Sequence, residues 1–578
     1  MPLMPAMQAV VAVLESEGVD CAFGIPGASI LPLYDAMRGS SIRHLTVRHE
    51  EGATHAADGY SRATGRIGVA IGTSGPAGTN MVTGLYTAWA DSVPILTITG
   101  QVPITQLDRE GFQAVDIAEI VRPVVKKSYL VTNPGQLPWV FREAFQIMRE
   151  GRPGPVHIDL PIDVQLAEIS YRPEADAPLA VGRLEPHPAA IEAALDMLLA
   201  AQRPLLMPGG GVISANAADT LVELAELLEI PVLPTLMGWG AIPNDHPLYV
   251  GLAGIQTQTR AGNRALLESD LVCAVGARFA ERHTGALDVY RGERQFIHID
   301  IEPTQIGRVF APDLGVAADA GLALEALLAA ARRRGADDRR PTAWSEQVPE
   351  RRRELARRTD YDEVPIKAER VFAEINAAFD RETVFVTAIG LYQIWSGQFQ
   401  EVYGPRQYLI CGQAGPLGWE VPACIGAKLG RPGQTVVAVV GDYSFQFLME
   451  EIAVASQYDV PFVLVMINNG YLGLIRQSEI KYEMNYAVDI GYDDSYGVDH
   501  VAVMEAMGAL GRRVEQPQDI GPALRWAQEA AEEHRRPVLV EVMIEREQNA
   551  AMGGALDAIV EFSDSDRAPS EVPVTVGA

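Results

Sequence analysis

The sequence is poor in cysteine, in basic residues and in long apolar runs. Only four cysteines occur among 578 residues, and no two of them form a CxxC pair. No disulfide framework or zinc knuckle is indicated, and a reducing compartment is expected. No apolar run approaches the ~18–20 residues that a membrane helix needs. Because no basic residue precedes Arg38, we expect no signal or transit peptide and a cytoplasmic protein.

Basic residues are outnumbered by acidic ones, at 47 against 75, for a net charge of −28. Nucleic acids and anionic membranes would be repelled by such a protein, so both are unlikely general partners. Small anionic substrates are not excluded, because they need only a local cluster of donors. With 48% hydrophobic and 21% charged residues, the composition is that of a globular chain of three to four domains.

Short apolar segments alternate with longer helical patterns along most of the chain. Continuous apolar strands separated by helices are typical of parallel sheets covered on both faces. The predicted fold class is therefore α/β, with doubly wound parallel-sheet domains. The predicted strands are Gly68–Gly72, 94–100, 205–208, 271–276, 296–301, Val384–Thr387, 436–440, 462–468 and 538–544.

Two changes in composition divide the chain into three units. The first, at 167–189, is rich in proline, and the second, at 331–360, contains ten arginines and six acidic residues. An RNA-binding arm is one interpretation of the second segment. The interleaved acidic residues and the scarcity of aromatic residues favour a solvated linker instead. The predicted domains are 1–166, 190–332 and 362–562, followed by a polar tail at 563–578.

The third unit contains a candidate metal site. Asp442 follows one predicted strand, and Asn469 follows the next, 27 positions later. Neighbouring parallel strands end at the same edge of a sheet, so the two side chains could meet there. Carboxylate, amide and carbonyl oxygens suit Mg²⁺, and Gly441 and Ser444 offer donors close by. The alternative is an ordinary strand-to-turn sequence, in which Asp and Asn are common.

The first and second units contain weaker signals. Glu50 and Glu51 stand where a short strand gives way to a helix, a position that the helix dipole alone would favour. His49 and His55 are expected to be structural. In the second unit, glycines 209–211 directly follow a predicted strand and could allow close approach of a phosphate, but they do not form a GxGxxG fingerprint.

Seven segments taken together, and in this order, resemble the thiamine diphosphate (ThDP) enzyme family. The resemblance runs from about residue 6 to 562 and is closest to the branch of acetohydroxyacid synthases and glyoxylate carboligases, with glyoxylate carboligases nearest. The segments that carry it are 23–28, 72–79, 112–117, 234–240, 282–285, 412–419 and 471–477.

The resemblance implies a pyrimidine-binding, an FAD-binding and a diphosphate-binding domain, in that order. Glu50 would hydrogen-bond the aminopyrimidine of ThDP, and Leu417 would support the bent cofactor. Phe112 and Gln113 would line the approach to the reactive C2 carbon. In such enzymes the site forms between two chains, so a homodimer or homotetramer is implied. The implied Mg²⁺ ligands are Asp442, Asn469 and Tyr471.

Two larger sets of cofactor contacts follow from the same resemblance. FAD is usually structural in this branch, and nothing in the residues distinguishes that role from a redox role. The implied ThDP contacts are Gly24, Pro26, Thr73, Asn80, Gln393, Gln413, Leu417, Gly441, Asp442, Tyr443, Ser444, Asn469, Tyr471, Gly473 and Leu474. The implied FAD contacts are Arg152, Gly209, Gly210, Gly211, Thr235, Leu236, Met237, Gly254, Gly276, Arg278, Asp300, Ile301, Asp319 and Ala320.

The implied reaction is decarboxylation of glyoxylate and its joining to a second glyoxylate, which gives tartronate semialdehyde. Two residues depart from that pattern. Glyoxylate carboligases are expected to have valine at the position of Glu50, and Trp395 is more similar to acetohydroxyacid synthases. The alternatives are therefore a carboligase or decarboxylase acting on pyruvate or another 2-oxo acid, a flavin-dependent oxidation, and a non-catalytic relative. The presence of Glu50, Leu417, Asp442 and Asn469 argues against the last.

Overall fold

A computed structural model describes residues 3–336, 340–484, 488–491 and 497–561. The predicted polar tail at 563–578, and residue 562 before it, lie outside the described residues. Within this part of the chain, the helices are too short or too polar for any of them to cross a membrane. Three parallel sheets dominate the structure, which confirms the predicted α/β fold class.

The first unit is a six-stranded parallel sheet with helices on both faces. Its strand order is β3-β2-β4-β5-β7-β6, and a short antiparallel pair, β1 and β8, joins its two ends. The strands are β1 Leu3–Pro5, β2 Cys21–Gly24, β3 Arg43–Thr46, β4 Gly68–Gly72, β5 Ile95–Gln101, β6 Lys127–Leu130, β7 Val156–Pro161 and β8 Glu168–Ser170. The helices are α1 Ala6–Ser16, α2 Leu31–Met37, α3 Glu50–Thr64, α4 Pro76–Asn80, α5 Val82–Asp91, α6 Ile117–Val121, α7 Leu137–Arg149 and α8 Ile162–Gln165.

The second unit has a smaller parallel sheet of four strands, in the order β12-β11-β10-β9. Its strands are β9 Pro204–Pro208, β10 Leu271–Val275, β11 Gln295–Asp300 and β12 Leu314–Ala317. Its helices are α9 Pro188–Ala200, α10 Gly210–Ser214, α11 Ala218–Leu228, α12 Arg260–Glu268, α13 Glu281–Thr284, α14 Leu287–Arg291 and α15 Ala320–Arg333.

The arginine-rich segment between the second and third units forms two short helices, α16 Ala343–Glu346 and α17 Val348–Glu354. Arg351 pairs with Glu268, and Arg357 binds Glu561 at 2.7 Å. These guanidinium groups are neutralised within the chain, which agrees with a linker rather than with an RNA-binding arm.

The third unit repeats the architecture of the first, with the strand order β14-β13-β15-β16-β18-β17 and a separate short pair, β19 and β20. Its strands are β13 Val384–Thr387, β14 Tyr408–Ile410, β15 Val436–Gly441, β16 Val463–Asn468, β17 Leu510–Val514, β18 Val538–Met543, β19 Met552–Gly553 and β20 Ile559–Val560. Its helices are α18 Ala368–Ala378, α19 Leu391–Phe399, α20 Glu420–Gly430, α21 Asp442–Phe445, α22 Glu451–Gln457, α23 Gly473–Lys481, α24 His500–Ala506 and α25 Ile520–His534.

The first and third units share one apolar core, which packs α3 against α20. The two helices touch backbone to backbone at two glycines. A Cβ on Gly59 would lie 2.4 Å from the carbonyl oxygen of Ala423, and one on Gly426 would lie 1.9 Å from that of Ala56. Only glycine allows this approach. The contact holds the helix that begins at Glu50 beside the helix that follows Leu417.

Candidate active site

Glu50 begins α3 and is buried at the edge of the first sheet. The extended backbone of His49 starts the helix, and its Nδ1 accepts the N–H of Glu51 at 3.1 Å. The side-chain amide of Asn80 donates to Oε2 of Glu50 at 2.9 Å. One carboxylate oxygen is thus fixed by a protein donor, so Oε1 is the oxygen that can serve a ligand.

The other residues predicted to contact the pyrimidine lie near Glu50. Gly24 ends β2 and pairs with Ile71 of β4, whose last residue, Gly72, would carry a Cβ 3.7 Å from Cγ of Glu50. The loop containing Pro26 packs on Thr73, since a Cβ on Gly27 would lie 2.5 Å from the Thr73 Cβ. The structure therefore brings Gly24, Pro26, Thr73 and Asn80 together at one sheet edge.

Asp442 lies at the corresponding edge of the third sheet, directly after β15. It is 2% exposed, and its Oδ2 has no hydrogen-bond partner. Burial raises the pKa of Asp442 to about 7, against the lowering effect of nearby His500 and of the backbone N–H groups of Asn469 and Gly470. A buried carboxylate with an orphaned oxygen suits a bound cation.

Asn469 and Tyr471 follow β16, the neighbour of β15 in the sheet. The backbone N–H groups of Asn469 and Gly470 donate to the Asp442 carboxylate, so the two strand ends lie side by side, and the shared metal site stays a prediction. Gly473 begins α23 so close to Asn469 that a Cβ there would lie 2.7 Å from the amide nitrogen. No group of three His, Cys, Asp or Glu side chains suited to a metal occurs in the described part of the chain. A cation beside Asp442 would therefore depend on amide, carbonyl and diphosphate oxygens.

The Ser444 hydroxyl faces the protein rather than an open site. It donates to Glu420 and accepts the N–H of Gly418 at 2.9 Å. Glu420 also accepts from Tyr392 at 2.5 Å, and burial raises the pKa of Glu420 to about 7. This network holds the turn of half-buried Leu417 against the Asp442 segment. Of the other predicted ThDP contacts here, Gly441 ends β15, Tyr443 lies in α21, and Leu474 lies in α23.

A cavity of about 370 Å³ lies where the three units meet. It is lined by strand ends of the second sheet, by the α5 end and by residues near Leu417. Of the predicted cofactor contacts, it is lined by Arg152, Gly210, Gly211, Thr235, Leu236, Met237, Gly276, Arg278, Asp300, Ile301, Asp319, Ala320, Gln393 and Gln413. Among these, Gln393 has a buried Oε1 without a hydrogen-bond partner.

Two residues predicted to bind FAD do not line this cavity. Gly209 donates its N–H to the carbonyl of Val275 and packs against the backbone of Gly276. Gly254 exchanges two hydrogen bonds with the side chain of Asn263. Their backbone groups are used inside the fold, so both glycines shape the cavity wall from behind it.

The predicted substrate-facing residues, Phe112 and Gln113, lie on the loop after β5 and do not line this cavity. Phe112 is 86% exposed on the loop after β5. Gln113, on the same loop, packs against Gly75, and its Oε1 lies 3.4 Å from Oγ of Ser74. Trp395 is 2% exposed in the core of the third unit, with its indole N–H unpartnered.

Sequence reasoning missed three residues that the structure links to these sites. Asp91 ends α5, lines the cavity, and accepts the N–H of Gln413 at 3.1 Å. Glu420 and Glu451 are fully buried carboxylates beside the Leu417 turn and the start of α3. A carboxylate opening the otherwise apolar stretch 420–427 was a visible signal for Glu420. No local sequence pattern distinguished Glu451 from a glutamate on the exposed face of a helix.

Comparison with known proteins covers all three units. The chain matches three family descriptions, "Thiamine pyrophosphate enzyme, N-terminal TPP binding domain" over residues 4–120, "central domain" over 191–327 and "C-terminal TPP binding domain" over 388–542. It is 49% identical to a glyoxylate carboligase of Escherichia coli, over 98% of this chain and 97% of that protein.

Acetolactate synthases are also similar. The chain is 37% identical to a probable acetolactate synthase large subunit of Methanocaldococcus jannaschii, over 96% of this chain and 95% of the relative. It is 35% identical to an acetolactate synthase large subunit of Corynebacterium glutamicum, over 99% and 94%. These similarities, together with the three matching family descriptions, show that the chain belongs to the thiamine pyrophosphate enzyme family.

Proposed function

We propose that this protein is a ThDP-dependent carboligase that acts on glyoxylate. It releases CO₂ from one glyoxylate and joins the remaining carbon unit to a second, which gives tartronate semialdehyde. The observation that carries the proposal is the 49% identity to a glyoxylate carboligase across nearly the whole of both chains. When bound, ThDP supplies the carbanion chemistry, and the protein binds, orients and shields it.

Glu50 is the proposed partner of the aminopyrimidine ring. Asn80 occupies Oε2, which leaves Oε1 to share a proton with a ring nitrogen. Leu417, held by the Ser444–Glu420 network, is the proposed apolar support of the cofactor. Phe112 and Gln113 are proposed to orient the acceptor on the loop beside Ser74.

Mg²⁺ is the proposed partner of Asp442, Asn469 and the carbonyl of Tyr471. The unpartnered Oδ2 of Asp442 and its neighbouring amide fit a hard cation. Such an ion would balance the buried carboxylate and bind the diphosphate in a protein whose net charge opposes anions.

FAD is the proposed occupant of the cavity of about 370 Å³. Gly210 and Gly211 open α10 there, Arg152 and Arg278 supply positive charge, and Asp300 and Asp319 supply acceptors. This donor set fits a dinucleotide. We assign FAD a structural role, and a flavin that bleaches under substrate without oxygen would contradict that assignment.

A homodimer or homotetramer in the cytoplasm is proposed. The exposure of Phe112, an apolar side chain with an assigned role at the site, supports a second copy that covers it. The measured mass of the assembly in solution tests this point.

Pyruvate is the competing donor. Full-length similarity to acetolactate synthases and the carboxylate at position 50 favour this second candidate. Incubation with glyoxylate and with pyruvate, separately and mixed, followed by identification of the products, separates the two. Tartronate semialdehyde from glyoxylate alone supports the proposal, and acetolactate as the sole product supports the alternative.

A further inference from the structure

Glu451 is a buried carboxylate of the third unit that lies against the segment leading into Glu50. Its Oε1 accepts the backbone N–H groups of Arg48 and His49, both at 2.9 Å. These residues immediately precede α3. N–H groups at a helix start lack a partner within the helix. Glu451 therefore supplies, from another unit, the acceptor that fixes the backbone just before Glu50.

The contact leaves little freedom for movement. A Cβ on Gly52, in the first turn of α3, would lie 2.5 Å from Oε1 of Glu451. Around it, the N–H of Thr46 donates to the hydroxyl of Tyr458 at 3.0 Å, and the Arg48 guanidinium donates to Gln457 at 2.6 Å. Helix α22 and Tyr458, the residue after it, thus contact the segment that links β3 to α3 at several points.

The same short stretch of chain carries the candidate metal ligand. Asp442 begins α21, and Glu451 begins α22, with its N–H bound to the carbonyl of Leu448. Both ends of this stretch are buried in close-packed surroundings. A displacement of Asp442 would therefore also displace Glu451.

We propose that Glu451 is a positioning residue that sets the orientation of Glu50 by fixing the backbone of residues 48 and 49. This inference rests on the proposed role of Glu50 toward the aminopyrimidine. It assigns Glu451 no contact with substrate or cofactor, and it makes the acceptor geometry of Oε1 the property that matters.

The charge of Glu451 is not required by this arrangement. Its Oε2 is buried without a hydrogen-bond partner. Burial raises the pKa of Glu451 to about 7, with Glu450 acting in the same direction and Arg48 and the two N–H donors against it. A neutral amide of the same length keeps an acceptor oxygen, whereas a shorter acid does not reach both donors.

Three variants separate these properties: Glu451→Gln, Glu451→Asp and Glu451→Leu. The readout is the rate of deuterium exchange at C2 of bound ThDP, followed by NMR with saturating ThDP and Mg²⁺ and without substrate. We expect Gln to stay within about threefold of the wild-type rate. Asp and Leu should slow the exchange by on the order of 10- to 100-fold while ThDP remains bound, since small displacements of a reacting group cost that much.

A double-variant cycle shows whether the effect passes through Glu50. In a Glu50→Gln background, Glu451→Asp should add less than a twofold loss. Gln457→Ala is the matched control, because it removes a hydrogen bond from the same interface without touching the backbone before Glu50. It should exchange at the wild-type rate.

The opposite order overturns the inference: a normal rate for Asp with a slow rate for Gln would show that charge matters. Equal losses for Glu451→Asp with and without Glu50 would show a general structural effect. If Leu does not fold, the Asp and Gln variants still decide. The proposed role of Glu50 fails separately, if Glu50→Gln alone leaves the exchange unchanged.

Discussion

The indole N–H of Trp419 donates to Oδ1 of Asp58 at 3.1 Å. Trp419 lies two residues after Leu417, and Asp58 lies in the helix that Glu50 begins. The same oxygen accepts from Arg62 at 2.5 Å, and Arg62 also binds Asp91 of the cavity wall at 3.1 Å. One buried cluster of charged and polar side chains therefore connects the turn after Leu417, the helix that Glu50 begins, and the cavity wall.

Arg62→Met should destabilise the protein by about 3–5 kcal/mol, because it leaves Asp58 buried without its cation and Asp91 with only the more distant Arg278, at 3.5 Å. Denaturant unfolding measures the loss. Arg66→Met is the matched control, since Arg66 and its partner Asp20 are about half exposed. It should cost less than about 1 kcal/mol, and similar losses for the two variants would contradict the assigned importance of the cluster.

Glu50→Val and Glu50→Gln should slow C2 exchange of bound ThDP by on the order of 10²- to 10⁴-fold, the range for loss of a general acid–base group. ThDP affinity, measured by calorimetry, should change by less than about threefold. Glu51→Gln is the control on the adjacent residue, which faces His55 instead. A large loss of ThDP affinity in the Glu50 variants would count against the assigned role.

Asp442→Asn should weaken ThDP binding in the presence of Mg²⁺ by about tenfold or more, since it removes the charged ligand of the proposed cation. Prolonged chelation of divalent ions should release ThDP from the wild-type protein in the same way. Asp459→Asn makes the same change at an exposed residue whose positive φ of 54° suits asparagine. If ThDP affinity is unaffected by chelation, the proposed metal site is wrong.

Gly210→Leu should reduce the flavin that copurifies with the protein. A Cβ at Gly210 meets only Met237, at 3.4 Å for its nearest atom, so the fold tolerates a side chain that narrows the cavity. Gly182→Leu is the control in open surroundings, with nothing within 4 Å. Equal flavin absorbance in both variants would refute the assignment of this cavity.

Asp159 should make the protein less stable as the pH rises from about 4 to 7. Burial raises the pKa of Asp159 to about 7, whereas the unfolded carboxyl titrates near 4. Between these values the folded state holds a proton that the unfolded state has lost, so stability falls by up to about 1.4 kcal/mol per pH unit.

Asp159→Asn removes that slope, so its Tm relative to wild type should be higher at pH 8 than at pH 5. Asp35→Asn, an exposed control, should follow wild type at both values. Parallel pH profiles for Asp159→Asn and wild type would show that Asp159 does not titrate as described.

Strands with continuous apolar sequences were predictable. All nine predicted segments form strands, with ends within one residue of those in the structure. Among the strands outside these nine, β7 and β17 were missed because they carry His157 and Asp159, and Arg512 and Arg513. Thr97, Thr99 and Gln101 from the neighbouring strand satisfy the polar pair of β7. Such pairing depends on distant residues and leaves no local pattern.

The meeting of Asp442 and Asn469 was predictable because parallel strands end at one edge. Glu451 was not, because its partners lie more than 400 positions earlier in the chain. The sequence predicts Ser444 as a donor to the cofactor, but not that its hydroxyl donates to Glu420 within the fold. Local patterns indicate which residues end strands. The contact between Glu451 and the segment before Glu50 depends instead on how the first and third units pack together.

Product analysis with ¹³C-labelled glyoxylate tests the central proposal most directly. NMR of the reaction mixture, with protein, ThDP and Mg²⁺ and without any other 2-oxo acid, follows the carbon balance. We expect two glyoxylates consumed for each CO₂ released, with one tartronate semialdehyde as the only other carbon product. Glyoxylate left intact in this mixture, with pyruvate converted to acetolactate in a parallel reaction, would contradict the proposed function.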